Sequence, residues 1–203
     1  YPSIKTKMGH LEAVSSELTS GVCPIIDLSK VGNDRIASKF GDVIASASAV
    51  VSKLGNKEYF IDLDSQHESR VLSYDYLLRS KNGYENWRAF LKDNFGKNCT
   101  PVMQFSPSDD TSDLSKQILK VIEHFGNIGI RVPFWIKEEH LKNLKMVINK
   151  EGVAGKVTFF VDIGQFNSDM YRFCLKTKDW SVLNDFKAVE HIRNICGEDV
   201  LPR

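Results

Sequence analysis

The residues of this chain best suited to chemistry are polar groups near the C-terminal ends of otherwise apolar runs. They are Lys5, Asp27, Asp62 with Asp64, Gln104, Arg131 and Asp162. An isolated charge inside an apolar strand is costly, so each of these groups needs a partner, water or a ligand. Asp62, Asp64 and Asp162, with Asp27, offer the oxygen donors that a hard divalent cation such as magnesium or manganese takes. Asp62, Asp162 or His67, which ends the run Asp62-Leu63-Asp64-Ser65-Gln66-His67, could move a proton as catalytic acid or base. Lys5 and Arg131 could hold a phosphate or carboxylate, the arginine through two parallel bonds. Asp27 and Gln104 complete the ligand-binding candidates. The competing reading is a buried ionic network that fills the strand ends, with Arg131 neutralising aspartates.

Six short apolar runs must position these groups as strands: Tyr1–Lys5, Val22–Leu28, Tyr59–Leu63, Pro101–Phe105, Ile128–Phe134 and Lys156–Ile163. They are continuous rather than alternating, as strands buried on both faces are. Segments of helical period lie between them: His10–Leu18, Asp34–Leu54, Tyr84–Phe95, Ser112–Phe125 and Glu138–Asn149. In Asp34–Leu54 the expected apolar stripe is Ile36, Phe40, Val43, Ile44, Ala47, Val50, Val51 and Leu54. Gly55, Gly126 and Gly152 stand where helices should stop. From Ser168 the chain keeps a broken helical period. Strict alternation of strand and helix predicts right-handed crossovers and a parallel sheet, in one (β/α) domain over 1–203. The sheet is expected to close as a barrel-like fold with about six visible units, an incomplete or truncated (β/α) barrel; an open doubly wound sheet is the alternative. In either case the C-terminal strand ends form the ligand face.

Composition narrows the function. The 27 Lys and Arg against 26 Asp and Glu leave a formal charge of +1, and no basic patch is interleaved with aromatics, so nucleic acid is not signalled. No apolar run approaches the roughly 20 residues that span a bilayer. Cys23, Cys99, Cys174 and Cys196 show no CxxC spacing, which disfavours a zinc ribbon and suits a reducing cytoplasm. There is no GxGxxG, no P-loop and no GxSxG.

Tyr1-Pro2-Ser3-Ile4-Lys5-Thr6-Lys7 with Gly9, then Leu11-Glu12-Ala13, then Val22-Cys23-Pro24-Ile25-Ile26-Asp27-Leu28 resembles the opening of the beta protein family of phages and prophages. His10 stands where that family often has Glu. The later runs Tyr59–Asp64, Pro101–Phe105, Ile128–Phe134 and Val157–Asp162 are similar to its strand order. Members are commonly longer and carry a Gly-Asp-Tyr stretch near the end, which this chain lacks, so an N-terminal portion or a shortened member is expected. The resemblance implies a cytoplasmic, phage-associated protein with a barrel-like fold, and it carries no catalytic residues with it.

Two functions are therefore expected to compete. One is an interaction module of phage–host conflict, such as a defence component, an antidote or an inhibitor, with another protein or a second copy of itself as partner. The other is a small-ligand or phosphate-ester enzyme with a carboxylate-rich, metal-assisted site. Any open sheet edge should be covered by self-association or by the segment from Ser168 onward.

Overall fold

The computed structural model describes residues 3–5, 23–28, 41–63, 72–106, 108–133 and 136–162. The expected helix at His10–Leu18, residues 34–40, Asp64, His67, Phe134-Trp135 and the tail from Ser168 lie outside them. Contacts divide the chain into two compact units, Tyr1–Gly129 and Ile130–Arg203.

From the second strand onward, helices connect successive strands along the described residues, two of them between the third and the fourth. Strand β1 is Ser3–Lys5 and β2 is Ile25–Leu28; helix α1 is Gly41–Leu54; β3 is Tyr59–Leu63. Helices α2 (Leu72–Leu77) and α3 (Lys81–Asn94) precede β4 (Cys99–Pro101), and α4 (Thr111–Phe125) precedes β5 (Ile128–Pro133). Helix α5 (Glu138–Lys150) and a 3-10 turn (Ala154–Lys156) lead to β6 (Val157–Asp162). The first four strands form one parallel sheet in the order β1-β2-β3-β4; β5 and β6 form a two-stranded sheet. This is a parallel α/β architecture, and no closed barrel is formed among the described residues.

Every residue of β2 and β3 is buried, so both faces of the sheet are covered, as their unbroken apolar runs require. Strand β4 is displaced from expectation: it is Cys99–Pro101, not Pro101–Phe105. Proline lacks the N–H that a ladder needs. The amide of Val102 bonds Ile61 O (2.7 Å) and that of Met103 bonds Gly129 O (2.7 Å), so pairing beyond Pro101 shrinks to an isolated parallel bridge, Val102↔Gly129.

Helix boundaries follow local chemistry. Asp110 caps α4, its carboxylate accepting the Ser112 N–H at 2.8 Å, and Gly126 ends it at φ 89°. Helix α1 buries a narrower stripe than expected. Val43, Ala47, Val50 and Leu54 are buried, whereas Ile44 and Val51, one step round the helix, are 45% and 39% exposed. Helix α2 was not anticipated, because six residues are too short to show a period.

Helix α3 contains a local departure. Asn82, Gly83 and Tyr84 all have left-handed backbones, with φ of 57°, 67° and 54°. Asparagine enters this region readily, whereas Tyr84 there costs roughly 1–2 kcal/mol. A side chain on Gly83 would lie 2.7 Å from Asp113 O and 2.8 Å from Gln117 N, so glycine is needed both for its φ and for the close approach to α4.

Candidate functional site

Parallel pairing aligns the polar strand ends of the first unit. Lys5 is in register with Asp27, and Asp27 with Asp62. In-register neighbours on parallel strands share a face, so the two aspartates stand side by side. Both are buried, at 4% and 5% exposure, and Gln104, just past β4, is equally buried. The Gln104 amide donates to Asp62 Oδ1 at 2.7 Å, and the Leu63 N–H donates to the same oxygen at 2.8 Å. The carboxylate is thereby oriented by two neutral donors. Gln104 Nε2 also reaches Val102 O at 3.3 Å.

Two residues that the sequence did not single out brace this cluster. Trp87 of α3 donates its indole N–H to Val102 O at 3.2 Å, the carbonyl that Gln104 also approaches. Tyr74 of α2 donates its hydroxyl to Leu28 O at 2.7 Å, at the end of β2. Both rings are buried, and a buried indole or phenol needs a polar partner. For Trp87 the only signal in the sequence is an aromatic on an amphipathic helix, which ordinary packing also produces; for Tyr74 there is none.

In the second unit, Arg131 of β5 and Asp162 at the end of β6 are partners. The Arg131 Nε and Nη2 atoms each lie 3.0 Å from Asp162 Oδ2. Their side chains are 19% and 18% exposed, so the pair is partly shielded from water.

Asp27, Asp62 and Gln104 are thus brought together, with Lys5 at the next register position, and Arg131 and Asp162 form a separate ion pair. Of the expected metal ligands, Asp62 and Asp162 lie in different units and Asp64 is outside the described residues. Among the described residues no three His, Cys, Asp or Glu side chains group as a metal site would need. Asp27 and Asp62 still present carboxylate oxygens side by side, the donor type that a hard cation takes.

Other titratable groups mark the interior of the first unit. Burial, then the neighbouring Cys23, holds the Cys99 thiol well above its ordinary value. Burial, then Glu58, pushes the Cys23 thiol up. Burial raises the Tyr59 and Tyr84 hydroxyls strongly, with the bond to Asp109 adding to the effect at Tyr84. Protonated thiols of this kind are poor nucleophiles.

The fold and this site define a parallel α/β protein with acidic and amide groups at its strand ends. No protein-family model matches the sequence, and no curated protein matches it either. No helix among the described residues is long and apolar enough to cross a membrane.

Proposed function

We propose that this chain is an interaction module of phage–host conflict, a defence component, antidote or inhibitor, carried on a barrel-like (β/α) fold in the cytoplasm. Its partner is another protein or a second copy of itself. The phage setting rests on the resemblance to the beta protein family of the first 28 residues and of the later strand order. The consecutive order β1-β2-β3-β4 of the described strands is compatible with a barrel-like sheet as well as with an open one. The observation that carries the functional reading is that the polar strand ends are engaged with one another. Gln104 holds Asp62, and Arg131 holds Asp162. Such groups secure the framework and leave recognition to the surface.

One observation favours the second reading, an enzyme or small-ligand site. Asp27 and Asp62 are paired in register and buried at the end of the sheet where parallel α/β proteins bind ligands. Expression of the chain in a bacterial host challenged with a phage panel separates the two. The interaction reading expects a change in plating efficiency that Asp62→Asn and Asp162→Asn retain, provided both melt as folded proteins. Loss of the effect in a folded Asp62→Asn protein would move the function to the strand ends. No effect of the wild-type chain on any phage would end the phage-conflict reading.

A further inference from the structure

Two departures from good packing meet at one helix–helix contact. The first is the left-handed turn Asn82–Tyr84 at the start of α3. It is held by polar contacts from several sides. The Gly83 N–H donates to Asp113 Oδ1 (2.9 Å), Lys116 Nζ to Asn82 Oδ1 (3.3 Å), and the Tyr84 hydroxyl to Asp109. Arg88 donates to the carbonyls of both Gly83 and Asn82, each at 2.7 Å. The second departure is Gln117 of α4, which is fully buried in the helix's apolar face between Leu114 and Val121. Neither its amide nitrogen nor its oxygen has a hydrogen-bond partner among the described residues. The backbone nitrogen of Gln117 is also one of the atoms that a side chain on Gly83 would strike, so the turn packs on the backbone of the residue that carries the buried amide.

We propose that the start of α3 is a two-state latch on α4, coupled to the strand-end cluster through Trp87. Sequences that fold well satisfy each local rule, and places that break two rules at one contact are where alternative arrangements come close in energy. In the closed state the turn is left-handed and the Gln117 amide is sealed from water. In the open state residues 82–84 relax and the amide is hydrated. Trp87 lies one helical turn from the latch, and opening would draw its indole from Val102 O, the carbonyl that Gln104 shares while it orients Asp62. The latch goes beyond the interaction reading and stands whichever chemistry the strand ends carry.

Native-state hydrogen exchange, with the Trp87 indole resonance as a second readout, tests this on the full chain. In the wild type, α3 amides from Glu85 to Asn94 should exchange faster than those at the centre of α4, through a local opening. Gln117→Leu removes the unsatisfied amide from the closed state and should slow α3 exchange by about tenfold. Asp113→Ala should speed it by a similar factor and shift the Trp87 indole resonance, with exchange in α5 unchanged. The proposal is overturned if α3 exchanges only with global unfolding. It is equally overturned if Gln117→Leu speeds exchange, because the amide would then be bonded in the closed state.

Discussion

Asp62 and Asp162, acidic strand ends of different units, are held in different ways. Asp62 sits at 5% exposure and is held by an amide and a backbone N–H, with a second carboxylate, Asp27, in register beside it. Asp162 is 18% exposed and is held by a guanidinium. In sequence both are an aspartate closing an apolar strand. Burial separates them. Removing a full ion pair from water has a large desolvation cost, whereas neutral donors such as the Gln104 amide and the Leu63 N–H orient a carboxylate at a smaller one. At the partly wet site the ion pair keeps some hydration and its cost falls. The same sequence signature therefore marks a buried, hydrogen-bonded carboxylate in one unit and a partly exposed ion pair in the other.

Alkali should expose the difference most strongly. Cys99, Cys23, Tyr59 and Tyr84 all belong to the first unit, and all hold their protons to higher pH than they would when unfolded. The folded state then binds more protons than the unfolded one, so their contribution is intact below the unfolded values and is lost as pH rises toward the folded ones. Stability should fall from about pH 9 upward, first with the thiols and then with the tyrosines. Urea midpoints from pH 7 to pH 11 measure it, and Cys99→Ala should flatten the first part of the slope.

Next in size is Gln104→Leu. It removes a donor from a buried carboxylate and should cost about 2–3 kcal/mol in chemical denaturation. A cost near zero would mean that Asp62 is uncharged in the folded protein, and the contrast between the two regions would fail.

Asp62→Asn should act in the opposite direction. An asparagine oxygen can accept the same two bonds, and neutralising one of two adjacent acids should raise stability by about 1 kcal/mol. Roughly 5 mM magnesium should leave the wild-type melting temperature unchanged, because no free energy of metal binding is then available to the native state. A rise with magnesium in the wild type that Asp62→Asn abolishes would favour the ligand reading.

The smallest effect is expected at Asp162→Asn, about 0.5–1 kcal/mol, since the pair is partly exposed. It should shrink further in roughly 0.5 M salt, where screening is short-ranged, while the cost of Gln104→Leu stays constant. Equal salt dependence at both sites would contradict the assignment of one as neutral and the other as ionic.

Much of the framework was legible before any coordinates. Tyr59–Leu63 is a strand with the expected bounds, and Gly55, Gly126 and Gly152 stop helices with positive φ. These features follow from neighbours within one or two turns of chain. The β4 boundary slipped because apolar character continues past Pro101 while the hydrogen-bonding pattern does not. Ile44 and Val51 belong to the apolar stripe by period yet are exposed, because a period identifies an apolar arc but not how much of it finds a partner.

Sequence alone determined most of the strands and longer helices and the positions of polar residues at strand ends, because periodicity, glycine stops and strand apolarity are local properties. Only the tertiary structure decided which polar residue meets which. Gln104 reaches Asp62 across 42 residues, and Arg131 reaches Asp162 across 31. The left-handed start of α3 was equally hidden. Asn82-Gly83 permits that backbone, but it is the approach of Asp113 and Gln117 on α4 that requires it. Partner choice among buried polar groups is set by strand register and by distances that exist only once the chain has packed.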